Sequence, residues 1–396
     1  MQMNTHYQDL KESYLFTDIA KRIRAFQEKH PDRDIIRMGI GDVTLPLPAS
    51  CVSAMQEAAA EQGTQTGFHG YGPEQGYAFL REALAERYAK KGVTLQPNEI
   101  FISDGAKSDL GNLLDLFGKE NTVVVPDPVY PVYVDTNIMA GRKIVYCNAT
   151  KENGFLPLPD ESCRGDLYYL CSPNNPTGAV YTKEGLKAWV DFALENDGVI
   201  LFDAAYESFI TDSDLPASIY EIEGAEKCAI EVCSFSKMAG FTGTRCGWTV
   251  VPEALCRQGM SLNRMWLRRQ TTKFNGVSYV VQKGAAAAFT PEGEKEMQAN
   301  LAYYRENAVL LAELLKKKNI FFTGGAHSPY LWFKAPAGLS GWELFDRLLE
   351  EAGVVGTPGE GFGENGSGFF RLTAFSTHEK TAEAVKRLDA LTWFHG

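Results

Sequence analysis

The feature that most constrains the fold of this chain is an alternation of short apolar segments with helical segments between about residue 75 and residue 251. Gly, Pro, Asn or Ser bounds each apolar segment, as is typical of strands that are buried on both faces of a sheet. The predicted strands are residues 99–103, 122–126, 143–148, 167–171, 199–203, 229–234 and 246–251. Because helical segments lie between them, the pattern predicts an α/β fold with a mostly parallel central sheet flanked by helices.

Helical periodicity predicts the remaining elements and a division into domains. The predicted helices are residues 10–30, 78–90, 106–117, 182–196, 291–318, 341–351 and a last helix from residue 378. Strands are also predicted at 34–38, 330–334 and 369–374. We expect an N-terminal arm with part of a small domain (1–45), a large domain (46–285) and a smaller α+β C-terminal domain (286–396).

Charge and cysteine content limit the classes of partner. The net charge is −11 and no basic patch stands out, so nucleic acid is not an expected partner. The six histidines show no metal-ligand spacing and the eight cysteines contain no C-x-x-C pair, so we expect no metal site and buried, reduced thiols in a cytoplasmic protein. The N-terminus is polar and no apolar run approaches the roughly 18 residues of a membrane span, so neither a signal peptide nor a membrane partner is expected.

A single lysine lies in a Ser/Gly-rich segment that directly follows a predicted strand. Lys237 stands in the sequence Ser234-Phe-Ser-Lys, and Arg245 follows eight residues later. Packing explains such a lysine poorly, because lysines are almost never buried without a partner. A desolvated amine can instead hold a carbonyl cofactor as a Schiff base, and a nearby arginine can bind its phosphate. The segment therefore predicts a site for pyridoxal 5′-phosphate (PLP).

Two more polar side chains follow earlier predicted strands. Asn175 lies in a Pro/Asn/Gly turn after 167–171, and Asp203 ends the strand 199–203. The carboxyl ends of parallel strands form one edge of a sheet, so Asn175, Asp203 and Lys237 are expected to lie together. A carboxylate suits a protonated pyridine nitrogen and an amide suits a ring oxygen. Taken singly, an ordinary turn explains Asn175 and a helix cap explains Asp203.

Three further positions match other parts of such a site. The segment 104–107 opens a helix whose backbone N–H groups can bind a phosphate. Tyr130 can stack on a planar ring, and Arg371 can bind a carboxylate through two donors. The alternatives are a glycine turn, a buried aromatic residue and a surface arginine.

Together these residues resemble the class I/II aminotransferases, which are fold-type I PLP enzymes, over essentially the whole chain. More narrowly, the chain is similar to the LL-diaminopimelate aminotransferases in residues 14–19, 39–42, 70–76, 103–107, 127–133, 272–276 and 368–371. Two positions depart from the family pattern. Ala204 stands where many relatives have Ser, and Met238 stands where small polar residues are frequent. Neither removes a catalytic atom.

The resemblance implies a homodimer that binds PLP in its large domain and acts on small amino acids and 2-oxo acids. It implies catalytic roles for Lys237, Asp203 and Tyr206, with Lys237 holding PLP and moving a proton. The cofactor-binding residues that it implies are Ala106, Lys107, Tyr130, Asn175, Asp203, Tyr206, Ser234, Ser236, Lys237 and Arg245. The substrate-binding residues that it implies are Tyr14, Gly41, Tyr71, Glu74, Lys107, Asn175, Asn275 and Arg371. Tyr71 and Asn275 are expected to reach the site of the partner subunit.

The narrower resemblance implies a reaction in the synthesis of lysine and peptidoglycan precursors. Tetrahydrodipicolinate and L-glutamate are interconverted with LL-2,6-diaminopimelate and 2-oxoglutarate. Glu74 suits the second ammonium of diaminopimelate, and Lys107 suits its second carboxylate. The alternatives are an aminotransferase for aspartate, alanine or aromatic amino acids, a PLP-dependent C–S lyase, and a non-catalytic PLP-binding regulator.

Overall fold

The computed structural model of this chain describes residues 1–10 and 15–396. The strands in these residues are β1 (Ile36–Arg37), β2 (Ile100–Ser103), β3 (Val123–Asp127), β4 (Ile144–Asn148), β5 (Leu167–Cys171), β6 (Val199–Asp203), β7 (Ala229–Ser234), β8 (Gly247–Val250), β9 (Cys256–Arg257), β10 (Met260–Ser261), β11 (Phe322–Gly324), β12 (Tyr330–Lys334), β13 (Val354–Val355), β14 (Thr357–Pro358) and β15 (Phe369–Thr373). The seven strands predicted between residues 99 and 251 are confirmed as β2 to β8, each end within one residue of its predicted position.

The helices cover both sides of these strands and most of the C-terminal part. They are α1 (Leu15–Lys29), α2 (Ala49–Glu61), α3 (Ala78–Ala89), α4 (Ala106–Asn112), α5 (Pro131–Ala140), α6 (Lys183–Glu195), α7 (Phe235–Met238), α8 (Leu262–Lys273), α9 (Tyr279–Ala287), α10 (Pro291–Lys317), α11 (Gly341–Ala352) and α12 (His378–Asp389). The predicted helix 106–117 is shorter than expected, because a 3₁₀ turn at Leu113–Leu116 follows α4.

The central sheet has seven strands in the order β2-β8-β7-β6-β5-β3-β4. Strands β3 to β7 pair in parallel, whereas β8 is antiparallel to both β2 and β7. Every residue of β5, β6 and β7 is buried, as the apolar runs predicted. The expected mostly parallel α/β sheet is therefore confirmed, and the carboxyl ends of all strands except β8 meet at one edge.

Helix α6 shows how local sequence sets these elements. The Thr182 hydroxyl accepts a hydrogen bond from the Gly185 N–H at 3.2 Å and caps the first turn. Leu186, Trp189 and Val190 recur at helical spacing and are buried. The cap fixes where the helix begins, and the apolar stripe fixes which face packs against the sheet.

A second, antiparallel sheet, β11-β12-β15-β14, forms the core of the C-terminal part. Arg371 on β15 lies opposite Trp332 on β12, and Tyr330 lies opposite Thr373, so Tyr330 and Arg371 share one face. Strand β1 pairs in parallel with β13. The Thr373 N–H also donates to the Met38 carbonyl at 2.8 Å, which joins the N-terminal segment to this second sheet.

The prediction that all cysteines are reduced is wrong for one pair. Cys147 and Cys163 form a disulfide, with Cα atoms 5.6 Å apart, inside the usual range. Strand β4 and a turn bring these residues together across 16 positions, and no C-x-x-C spacing announces that contact. The free cysteines are Cys51, Cys171, Cys228, Cys233, Cys246 and Cys256.

None of the helices in the described residues combines the length and the apolar composition needed to cross a membrane.

Candidate active site

A cavity of about 410 Å³ lies at the carboxyl edge of the central sheet, where the second sheet faces it. It brings together twelve of the residues that the sequence proposed for cofactor or substrate, and these are Gly41, Ala106, Lys107, Tyr130, Asn175, Asp203, Tyr206, Ser234, Ser236, Lys237, Arg245 and Arg371. They come from segments spread over more than 300 residues of sequence, so the fold itself assembles the site.

Hydrogen-bond donors that suit an anion lie at one end of the cavity. Arg245 has a left-handed backbone (φ 65°), and its guanidinium donates to the Ser236 hydroxyl at 3.3 Å. The Ser234 hydroxyl accepts from the Ser236 N–H at 3.0 Å. A Cβ on Gly105 would lie 2.2 Å from Arg245 Nη2, so only glycine allows the guanidinium to approach the start of α4 this closely. Hydroxyl groups and a guanidinium therefore converge on one spot.

Asp203 lies in the floor of the cavity at the end of β6. It is buried, and it accepts hydrogen bonds from the Tyr133 hydroxyl at 2.5 Å and the Ala205 N–H at 3.0 Å. Burial raises the pKa of Asp203, and the Tyr133 and Ala205 donors offset this in part. Both donors are neutral, so a cationic donor would stabilise the buried carboxylate further.

Lys237 projects from α7, directly after β7. Its ammonium donates to the Gly41 carbonyl and lies 5.5 Å from the centre of the Phe375 ring. Burial lowers the pKa of Lys237 to about 8; Asp42 opposes this change, and the charge of Arg371 adds to it. A large fraction of this amine is therefore neutral and nucleophilic near pH 8.

Arg371 closes the cavity on the side of the second sheet. It is 1% exposed, which excludes the surface arginine that the sequence left open. Its guanidinium donates to Asn175 Oδ1 at 2.5 Å and to the Gly39 carbonyl at 2.7 Å. Among the described residues no acceptor reaches its Nε, which is buried. A buried guanidinium with unused donor capacity is suited to a carboxylate.

The sequence that forms this cavity matches a known protein family. A sequence model described as Aminotransferase class I and II matches residues 33–388. The chain belongs to the class I and II aminotransferase family.

Individual relatives align with nearly the whole length of this aminotransferase. An LL-diaminopimelate aminotransferase of Phocaeicola vulgatus is 52% identical in an alignment of 403 positions that covers 98% of each chain. One from Bacteroides fragilis is 52% identical in an alignment of 404 positions that again covers 98% of each chain. Among solved structures, L,L-diaminopimelate aminotransferase from Chlamydomonas reinhardtii matches with TM-score 0.93 and 45% identity over 98% of both chains. Substrate-bound BacF from Bacillus subtilis matches with TM-score 0.87 and 30% identity, covering 100% of this chain and 99% of that one.

Three of the predicted substrate residues do not line the cavity, and a fourth cannot be placed in it. Tyr14 lies outside the described residues. Tyr71, Glu74 and Asn275 do not line the cavity, and Tyr71 is 93% exposed. A Cβ on Gly276 would lie 3.0 Å from the Pro73 carbonyl, so the loops that carry these three residues are neighbours on the surface. Their roles in substrate binding stay predictions.

Two tyrosines in the cavity wall were missed as site residues. Tyr133 donates to Asp203, and it lies three positions after Tyr130, one helical turn along α5. That spacing could have indicated that Tyr133 lies near Tyr130 in the site. The hydroxyl of Tyr330 lies 2.6 Å from that of Tyr206. No local pattern marks Tyr330, because its strand belongs to the other sheet and meets Tyr206 only in the folded chain.

Proposed function

We propose that this aminotransferase binds PLP in the cavity and interconverts tetrahydrodipicolinate and L-glutamate with LL-2,6-diaminopimelate and 2-oxoglutarate. The observation that carries the proposal is one cavity in which Lys237, Asp203 and the buried Arg371 meet. The choice of substrate is supported by the relatives that are 52% identical over 98% of the chain and are named for diaminopimelate.

The residues present fit PLP at three separate points. Arg245 and Ser236 suit its phosphate, at the place where Gly105 leaves room. Asp203, which has only neutral donors among the described residues, suits the protonated ring nitrogen. Lys237, whose pKa burial lowers to about 8, suits the aldehyde. When bound, PLP withdraws electrons from the carbon that carries the substrate amine, which is the chemistry that transamination needs.

Each of these side chains then has a defined task. With PLP bound, Lys237 would hold the cofactor aldehyde, and its amine would carry the proton that leaves the substrate Cα. Asp203 would keep the ring nitrogen protonated, because a buried carboxylate stabilises a neighbouring cation. Asn175 and Tyr206 would hydrogen-bond the ring oxygen, and Tyr130 would pack against the ring. Ala106, Lys107 and Ser234 complete the cofactor site.

The α-carboxylate of the substrate binds to Arg371, together with Gly41 and Asn175. Arg371 is held by Asn175 Oδ1 and the Gly39 carbonyl before substrate arrives, so little ordering is required on binding. We assign the second ammonium of diaminopimelate to Glu74 and its second carboxylate to Lys107. L-Glutamate has only the carboxylate, so the distal part of the site must accept both molecules.

A homodimer accounts for the exposed substrate residues. Tyr71 is 93% exposed and lies outside the cavity of its own chain, and Asn275 is likewise absent from the cavity wall. We assign Tyr71, Asn275 and the terminal Tyr14 to the distal end of the substrate, with Tyr71 and Asn275 supplied by the partner subunit. Mixing inactive Lys237→Ala with weakened Tyr71→Ala should restore activity in the hybrid, because one of its two sites then has both residues.

The substrate assignment is tested by supplying purified enzyme with PLP, LL-diaminopimelate and 2-oxoglutarate. We expect L-glutamate and the ring-closed product, and neither with the Lys237→Ala control. Aspartate, alanine and phenylalanine, each with 2-oxoglutarate, should react far more slowly. Brisk turnover of one of these without any from diaminopimelate would overturn the assignment. Release of pyruvate and ammonia from a β-substituted amino acid without an acceptor would indicate a lyase.

A further inference from the structure

We propose that Tyr330 is a positioning residue that couples the cofactor side of the site to the carboxylate side. Its hydroxyl donates to the Tyr206 oxygen and thereby directs the Tyr206 proton at the cofactor ring oxygen. Its ring supports the guanidinium of Arg371. This inference rests on the proposed function and adds a residue that the sequence did not single out.

The first observation is the contact between the two tyrosines. Tyr330 is 1% exposed, and its hydroxyl oxygen lies 2.6 Å from that of Tyr206. The rings meet edge to face with their centres 5.2 Å apart. Tyr206 follows β6 of the central sheet, whereas Tyr330 begins β12 of the second sheet. This hydrogen bond therefore joins the sheet that carries Asp203 to the sheet that carries Arg371.

The direction of the bond follows from counting protons. A phenol has one proton to donate, and burial raises the pKa of both Tyr206 and Tyr330, so both stay neutral. If the Tyr206 hydroxyl donates its proton to the cofactor oxygen, it has no second proton to donate to Tyr330. Its own oxygen must then accept from Tyr330. Donors in such a chain strengthen one another, so the Tyr330 hydroxyl makes Tyr206 a better donor.

The second observation is the contact with Arg371. The guanidinium carbon of Arg371 lies 4.3 Å from the centre of the Tyr330 ring, on the shared face of β12 and β15. A cation over an aromatic face is attracted to that face, and the attraction limits how far the cation moves away from it. The Tyr330 ring therefore helps to fix the orientation in which Arg371 meets a carboxylate.

The third observation is the fit of the neighbouring loop. A Cβ on Gly41 would lie 2.2 Å from the Tyr330 hydroxyl oxygen and 3.3 Å from the ring carbon that bears it. Only glycine at position 41 leaves room for this hydroxyl. The Gly41 carbonyl also accepts from Lys237, so one residue contacts both the Tyr330 hydroxyl and the Lys237 amine.

The hydroxyl is tested by titrating the visible absorption band of the holoenzyme with pH in Tyr330→Phe. We expect the midpoint to move in the same direction as in Tyr206→Phe, but less. The double variant should match Tyr206→Phe alone, because Tyr330 acts through Tyr206. The control is Tyr181→Phe, which removes another buried hydroxyl, bonded at 2.9 Å to the Pro157 carbonyl and absent from the cavity wall. It should leave the midpoint in place.

A wild-type midpoint in Tyr330→Phe, or additive shifts in the double variant, would overturn the relay. Thermal unfolding of both single hydroxyl variants checks that Tyr330→Phe is no less folded than Tyr181→Phe. If wild-type protein with added PLP shows no visible band, the proposed function fails instead, so the two failures are distinguishable.

The ring is tested by comparing Tyr330→Phe with Tyr330→Leu. Phenylalanine keeps the aromatic face beneath Arg371, so the KM for the amino-acid substrate should stay near the wild-type value. Leucine removes the face, and the KM should rise roughly two- to fivefold, as expected for a cation–π contact. An equal KM in the two variants would show that the ring does not support Arg371.

Discussion

Replacing Lys237 with methionine should make the cofactor-free protein more stable while it abolishes activity. The structure places the Lys237 amine in a cavity where burial lowers its pKa from 10.5 to about 8. Methionine has a similar length and no charge to desolvate, and it fills irregular apolar space well. The residue to which we assign the cofactor bond is thus one that destabilises the cofactor-free fold.

The size of the effect follows from that difference in pKa. The unfolded chain binds more protons than the folded chain between about pH 8 and pH 10.5, so stability rises with pH across this window. The penalty is fully present below about pH 8, and it amounts to at most about 3.4 kcal/mol. Losing the hydrogen bond to Gly41 offsets about 1 kcal/mol of the gain. We therefore expect Lys237→Met to be more stable by about 1–3 kcal/mol at pH 7.

Urea unfolding of cofactor-free protein, at matched protein concentration and at pH 7, 8, 9 and 10.5, measures this difference. The gain should be largest at pH 7 and absent at pH 10.5, where the remaining penalty of about 0.4 kcal/mol is smaller than the contribution of the lost hydrogen bond. The control is Lys295→Met, which changes an exposed lysine and should alter stability by less than about 0.5 kcal/mol. A Lys237→Met protein that is less stable than wild type at pH 7, or a gain independent of pH, would refute the reasoning.

Three further substitutions probe the other ends of the cavity. Gly105→Ala places a Cβ 2.2 Å from Arg245 Nη2 at a position with φ 135°, so titration with PLP should show at least about tenfold weaker binding, equivalent to 1.4 kcal/mol. Arg371→Lys loses the two-pronged carboxylate contact, and kcat/KM for L-glutamate should fall at least about 30-fold with PLP binding unchanged. Tyr133→Phe removes a donor that lowers the pKa of Asp203, so the acidic limb of the kcat profile should move to higher pH. An unmoved limb would show that Tyr133 does not act through Asp203.

The sequence predicted the part of the site that lies on consecutive strands. Asn175, Asp203 and Lys237 each follow a short apolar segment, and the parallel order β7-β6-β5 places those segments side by side. The local sequence was sufficient here, because Gly, Pro and Asn mark the strand ends. The predicted strands 167–171, 199–203 and 229–234 agree with β5, β6 and β7 in every residue.

What the sequence did not predict depends on contacts between distant segments. The Tyr206–Tyr330 hydrogen bond spans 124 positions, and the Cys147–Cys163 disulfide depends on a turn that packs beside β4. Neither leaves a pattern in the residues that flank it. The antiparallel direction of β8 likewise depends on pairing with its neighbours, because the apolar pattern of a strand does not indicate its direction in the sheet. The domain boundaries at 45 and 285 and the role of Glu74 stay predictions.

The most direct test of the central claim is to find where PLP attaches. Holoenzyme is reduced with borohydride, digested with trypsin and mapped by mass spectrometry. If the Lys237 amine holds the cofactor aldehyde, cleavage after Lys237 is blocked, and a peptide of residues 228–245 carries the mass of one reduced cofactor. Peptides 228–237 and 238–245 without added mass, or the cofactor mass on Lys107 instead, would contradict the account.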